Sequence, residues 1–325
     1  MKSDSAGVAI GVDVGGTKIA AGVVSADGRL LARTRRESPG DRAGLFEAIV
    51  AAVGDLPDVA DAPIGVGAAG FVDADRSTVL FAPNLPWRSE PLGTALAQRL
   101  GRPVVVENDA NVAAWAEARF GAGVGHRHVV CVTVGTGVGG GLVIDGELVR
   151  GGYGVAAEFG HIPLVPGGVA CGCGQYGCWE QYAGGHALER YGRDLVRAGV
   201  PEAAALSAAC HGVPEDLHGP AITALAAQGD PAAVELLAEL GHWLGVGLAA
   251  LAAVLDPSCF VIGGGVSEAG DLLIEPARRT FARRLPAGRL RTAAAVIPAR
   301  LGNDAGMIGA GDLARAAGAT LGGAR

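Results

Sequence analysis

One pattern occurs twice in this chain. Residues 11–17 read Gly-Val-Asp-Val-Gly-Gly-Thr, and residues 131–137 read Cys-Val-Thr-Val-Gly-Thr-Gly. Each copy ends an apolar, β-branched run (8–14 and 129–134) that reads as a buried strand. Each leads on to a hairpin signal, Asp27-Gly28 in the first copy and Asp145-Gly146 in the second. The displacement is 120 residues at the glycine turns and 118 at the hairpins. Strands are expected at 19–24 and 30–34 around the first hairpin, and at 141–144 and 147–150 around the second. Two loops with matching downstream hairpins point to a duplicated β-lobe. The length of 325 residues fits two domains at roughly 150 residues each.

The remaining pattern is α/β. Helical periodicity covers 45–53, 91–100, 111–120, 232–255 and 305–317. The fourth of these has Asp230 as its N-cap and Pro231 in its first turn, and it is apolar enough to be central. Residues 199–219 read as short helices and loops. Half of the residues are hydrophobic and 18% are charged, so disorder is excluded and a sizeable core is available. The 54 glycines are an excess that suggests tight turns or backbone-lined sites. A net charge of −7 argues against a nucleic-acid-binding face. The longest apolar run, 243–255, falls short of the roughly 20 residues of a membrane span. No secretion signal is read at the N-terminus. Six cysteines in a chain of this length do not make a disulfide framework, so the expected compartment is the cytoplasm.

Three glycine loops each follow a buried strand. The first, Asp13-Val-Gly15-Gly16-Thr17-Lys18, lets backbone N–H groups approach an anion and adds a hydroxyl donor. Asp13 there could hold a water on Mg²⁺. Lys18 is one of two lysines, and it either meets a phosphate or points to solvent. The second loop, 135–141, matches G-x-G-x-x-G, but a hairpin follows where the dinucleotide fingerprint needs a helix. The third is Gly263-Gly264-Gly265, after the strand 259–262. Ordinary turns are the alternative for any one loop and a poor account of all three. Four carboxylates, Glu107, Asp109, Glu158 and Glu180, offer short acceptors for a hydroxyl-rich ligand. Asp109 has a second reading, as N-cap of the helix beginning near Ala110. His161, Cys171, Cys173 and Cys178 fit a closed tetrahedral Zn²⁺ site. Buried free thiols, or one disulfide with a spare thiol, are the other readings of that set.

These motifs together resemble the ROK family of sugar kinases. The resemblance is carried by Asp13-x-Gly-Gly-Thr17-Lys18, Glu107-Asn108-Asp109 and the 133–141 loop. Glu158-Phe-Gly-His161 and Cys171-Gly-Cys173-Gly-Gln-Tyr-Gly-Cys178-Trp-Glu180 complete it, in the family's order and over nearly the whole chain. It implies an actin-like ATPase (ribonuclease H-like) fold of two α/β lobes with mixed sheets around a cleft. The expected smaller N-terminal lobe is 1–108 plus about 303–325, and the larger C-terminal lobe with the zinc motif is 109–302. The implied reaction is that of a glucokinase, moving the ATP γ-phosphoryl group to the 6-hydroxyl of glucose with Mg²⁺. Asp109 would be the general base. Gly70, Asn84, Asn108, Asp109, Glu158, His161 and Glu180 would bind the sugar. The nucleotide would lie on Asp13, Gly15, Gly16, Thr17, Lys18, Thr133, Gly135, Thr136, Gly137, Gly263, Gly264 and Gly265. Structural zinc would be held by His161, Cys171, Cys173 and Cys178, and a homodimer or homotetramer is expected. Another hexose (mannose, fructose, allose or N-acetylmannosamine), polyphosphate as donor, or a sugar-sensing regulator are the competing readings. Family regulators carry an N-terminal helix-turn-helix, for which the first loop, starting at Asp13, leaves no room.

Overall fold

The computed structural model describes residues 7–59 and 61–322. Residues 1–6 and 323–325, the two extremities of the expected N-terminal lobe, lie outside that range. The chain opens with the meander β1 (Ala9–Val14), β2 (Lys18–Val24) and β3 (Leu30–Glu37). Val14 faces Ile19 across the first glycine turn, and Lys18 faces Glu37. That last pairing carries β3 three residues beyond its expected end. Next comes α1 (Arg42–Gly54), started by the Asp41 carboxylate accepting from the Gly44 N–H. After it come β4 (Ile64–Ala68), the short strands β5 (Phe71–Val72), β6 (Val79–Phe81) and β7 (Arg88–Glu90), then α2 (Leu92–Leu100), β8 (Val104–Asn108) and α3 (Asp109–Phe120).

The second meander is β9 (His128–Val134), β10 (Val138–Ile144) and β11 (Glu147–Leu148). The expected strand at 147–150 is cut to two residues. A 3₁₀ turn over Phe159–His161 precedes the helices α4 (Glu180–Ala183), α5 (Gly185–Ala198), α6 (Ala204–Ala209), α7 (Gly219–Ala227) and α8 (Pro231–Leu255). The chain ends in β12 (Cys259–Gly263), α9 (Asp271–Arg284), β13 (Ala295–Pro298) and α10 (Ala305–Gly322).

The sequence repeat is a repeat of topology. One sheet runs β3-β2-β1-β4-β8 and the other β11-β10-β9-β12-β13. In both, an antiparallel meander is extended by two parallel strands. Even the register repeats: Asp13 faces Gly67 on β4, and Thr133, at the matching position, faces Gly263 on β12. Compact packing divides the chain into two units, Met1–Arg127 with Gly141–Ala157 and Arg300–Arg325, and His128–Gly140 with Glu158–Ala299. The helix α3 therefore belongs to the first unit.

Strand glycines, besides turn glycines, account for the glycine excess. A Cβ on Gly11 of β1 would lie 1.8 Å from the Met307 carbonyl oxygen, and one on Gly65 of β4 would lie 1.8 Å from that of Ala310. The helix α10 thus rests directly on the sheet backbone, and only glycine leaves room for it. By length and composition α8 could cross a membrane. In this fold it is a core helix: Leu237, Leu240, Leu244 and Leu248 are fully buried, and Gly241 and Gly245 meet the backbone of α9.

Candidate active site

At the end of β8 the chain turns into α3 through Glu107-Asn108-Asp109. The N-cap is Asn108, not Asp109: the Asn108 Oδ1 accepts from the Asn111 N–H at 3.0 Å. Capping does not account for the Asp109 carboxylate, which sits on the first residue of the helix. The Asn108 Nδ2 donates to the Gly70 carbonyl and to the Asp109 Oδ1, both at 3.1 Å. Gly70, Asn108 and Asp109 therefore form one cluster. Behind them Glu107, 1% exposed, accepts from the Asn108 N–H at 2.9 Å and from the Asn111 Nδ2 at 3.1 Å.

The first glycine turn lies in the same unit. Its Gly15 N–H donates to the Lys18 carbonyl, and Ser38 holds the far side through the Gly15 and Thr17 carbonyls. Gly16 passes beside the backbone of Asn84. Thr17 and Lys18 are exposed at the tip. Burial pushes the Asp13 carboxyl above its ordinary range, opposed by the charge of Lys18.

The second unit carries the other residues. Gly135, Thr136 and Gly137 make a turn whose first two carbonyls accept from Gly185 and His186 N–H, at 2.8 and 3.0 Å. These are the first amides of α5. Thr133, at the end of β9, pairs with Gly263, and Gly264 lies directly on the Val134 backbone at a φ of 87°. The second and third glycine loops are thus adjacent. A Cβ on Gly137 would lie 2.3 Å from the Glu180 Oε2, which covers the loop. Gly160 lets the Phe159–His161 turn sit on β10, where a Cβ would come 2.0 Å from the Val138 carbonyl. That contact places Glu158 and His161, with the Glu158 Oε2 4.0 Å from the His161 Nε2. Glu158 is also pushed up, chiefly by burial.

The other face of His161 meets the cysteines. Its Nδ1 is 3.7 Å from the Cys171 Sγ, and the Cys173 and Cys178 sulfurs are 3.6 Å apart. All four ligand atoms lie within 4.8 Å of one another. Metal–sulfur bonds of about 2.3 Å at tetrahedral angles put ligand atoms about 3.8 Å apart, so the spacing fits a four-coordinate ion. Sulfurs 3.6 Å apart are not disulfide-bonded, and all six cysteines are free. Burial pushes the Cys171 thiol up to about 12, beside the Glu180 Oε1 at 3.0 Å. The Cys171 thiol donates to that carboxylate, and a cation bound by the four residues would instead take the three sulfurs as thiolates.

Two site-adjacent residues escaped sequence reasoning. Arg76 and Arg150 both pair with Glu107, through Nε atoms 3.1 and 2.6 Å from its Oε2. Neither belongs to a motif, and the contacts span tens of residues of chain.

The ROK family model matches residues 9–317. The chain belongs to the ROK family. Among ROK relatives it is 51% identical to the glucokinase of Streptomyces coelicolor, over 95% of this chain and 98% of that one. It is 35% identical to the glucokinase of Thermotoga maritima, over 94% and 96%. The solved structure of a ROK family glucokinase from Streptomyces griseus, in complex with glucose and AMPPNP, superposes with a TM-score of 0.87. That match has 53% identity and covers 95% of this chain and all of that one. The twin mixed sheets are those of the actin-like ATPase fold.

Proposed function

We propose that this ROK protein is an ATP-dependent glucokinase, transferring the γ-phosphoryl group of ATP to the 6-hydroxyl of glucose. The reading is carried by its likeness, along nearly the whole chain, to a glucokinase solved with glucose and AMPPNP. In this reading Asp109 accepts the 6-hydroxyl proton as the new bond forms. Asn108, hydrogen-bonded to Asp109 and Gly70, keeps the carboxylate aimed and presents the Gly70 loop to the sugar. Asn84, Glu158, His161 and Glu180 accept from, or donate to, the remaining hydroxyls. ATP lies along Asp13, Gly15, Gly16, Thr17 and Lys18 and along Thr133, Gly135–Gly137 and Gly263–Gly265. Mg²⁺ carried in with ATP would neutralise phosphate charge, and Asp13 would hold one of its waters. The enzyme acts in the cytoplasm, in sugar breakdown, as a homo-oligomer.

The test is ADP release from Mg·ATP across a panel of hexoses, with Asp109→Asn as control. Turnover with glucose, falling about 10²- to 10⁴-fold in the variant, is expected. Turnover only with another hexose changes the substrate. None with any sugar overturns the assignment.

Zinc is proposed for His161, Cys171, Cys173 and Cys178, whose spacing supports a closed structural site. His161, held with the three cysteines on such an ion, would have its ring fixed, and with it the His161–Glu158 pair that this reading assigns to the sugar. Cys173→Ser is expected to lower zinc content, raise the glucose KM and lower the melting temperature together. A zinc-free variant with unchanged glucose KM overturns this role.

A further inference from the structure

A buried ion-pair cluster behind Asp109 has no part in binding as argued so far. Glu107 is 1% exposed and takes two arginines on one carboxylate oxygen. A buried carboxylate needs compensation, but one guanidinium suffices for charge balance. The second arginine does more. Arg150 also donates from Nη1 to the Ala74 carbonyl and from Nη2 to the Asp73 carbonyl, both at 2.8 Å. Those carbonyls lie in the turn that follows β5 and Gly70. The Asp73 carboxylate caps the same turn through the Ser77 and Thr78 N–H groups, and its carboxyl is held below the usual range.

Arg76 shows what the cluster costs locally. It sits at a φ of 55°, in the left-handed region. For a residue with a Cβ this backbone is strained, and it persists only where surrounding contacts enforce it. Here the Arg76 carbonyl accepts from the Val106 N–H while its side chain reaches Glu107. The other carboxylate oxygen of Glu107 faces forward, to the Asn108 N–H and the Asn111 Nδ2. Asn108 in turn holds Asp109 and Gly70. Arg150 therefore fixes both strands of the cluster at once: the turn after Gly70 directly, and Asn108-Asp109 through Glu107.

We propose that Arg150, with Arg76 and Glu107, is a positioning group that locks Gly70, Asn108 and Asp109 into one rigid unit, and that it acts on turnover through Asp109. This rests on the assignment of Asp109 as general base. A base displaced by a fraction of an ångström loses near-attack geometry, and errors near 1 Å cost about 10²-fold in rate. A purely structural ion pair would lower stability and leave the turnover of the folded fraction alone.

The experiment compares Arg150→Met, Arg150→Lys and Glu107→Gln in the full chain, each alone and combined with Asp109→Asn. kcat and the KM values for glucose and ATP are normalised to the folded fraction from thermal melts. Arg150→Met is expected to lower kcat about 10- to 100-fold with the ATP KM little changed. Arg150→Lys, which restores a cation beside Glu107, recovers part of that loss. In the Asp109→Asn background, Arg150→Met changes the residual rate by less than about twofold, because the two act as one unit. Unchanged kcat in folded Arg150→Met, or its full effect persisting without the Asp109 carboxylate, overturns the proposal. If Arg150→Met does not fold, Glu107→Gln carries the same criteria, since it keeps an acceptor for the Asn108 N–H and loses the ion pairs. Undiminished turnover in Asp109→Asn alone overturns the base assignment itself, a different failure.

Discussion

The two glycine turns descend from the same pattern, yet their surroundings differ. The first, at Gly15–Thr17, is exposed at its tip, closed by the Gly15 N–H on the Lys18 carbonyl and held from one side by Ser38 on the Gly15 and Thr17 carbonyls. The second, at Gly135–Gly137, gives its carbonyls to the start of α5 and is covered by Glu180. A Cβ on Gly15 would meet nothing nearer than 3.5 Å, whereas one on Gly137 would strike the Glu180 carboxylate. The half-buried residue at the end of each strand differs as well: an aspartate, Asp13, in one and a threonine, Thr133, in the other. The two copies share the sheet order and its register, and differ in the segments attached to each turn. The insertion after β11 brings the cysteine cluster and Glu180 onto the second turn, and no such segment follows β3.

This contrast is best broken at Gly160, the contact that seats the inserted turn on β10. Gly160→Ala forces a Cβ against backbone that cannot rotate away, and should cost about 3 kcal/mol in urea unfolding. A loss below about 1 kcal/mol would mean that the turn is not held by β10.

A smaller effect separates the two turns directly. In Gly137→Ala the clash is with the end of a flexible side chain, so stability should fall little. Glu180 must leave its place, and the glucose KM should rise about 10-fold, the worth of one hydrogen bond to a charged group. Gly15→Ala should leave the melt within about 0.5 kcal/mol. It should raise the ATP KM about two- to tenfold by holding a phosphate away from the backbone. Equal effects on both substrates in both variants would erase the distinction.

The smallest effect lies at the paired strand positions. The folded-state pKa of Asp13 is raised by burial. The protonated form is therefore favoured in the fold, and stability declines as pH rises from the ordinary carboxylate value of 3.8 through the raised folded value. Asp13→Asn should remove that decline, raising the melting temperature of the ligand-free protein at neutral pH while blunting its response to Mg·ATP. Melts at pH 5 and pH 8 with and without Mg·ATP read both. Thr133 carries no charge, and Thr133→Val should show no such pH term.

Much of this was legible in the chain. The two meanders, the start of α8 at Asp230 and Pro231, and the Cys-Cys-Cys-His grouping follow from local rules of strand period, capping and ligand spacing. The N-cap reading of Asp109 is corrected to its neighbour: Asn108 caps the helix. Both residues suit that position chemically, and only the bend of the chain from β8 into α3 chooses between them. The role of Gly11 and Gly65 was hidden because glycine in a strand looks like weakness until a helix lies across it.

The sequence by itself determined the repeated sheet, the three glycine loops and the soft-ligand cluster, because each is written in residues close together along the chain. Tertiary structure alone decided that α10 rests on glycines of β1 and β4, that Glu180 covers Gly137, and that Arg76 and Arg150 converge on Glu107. Those contacts join residues separated by tens to hundreds of positions. Their strength comes from excluding water around buried charge and backbone, and no local pattern records that.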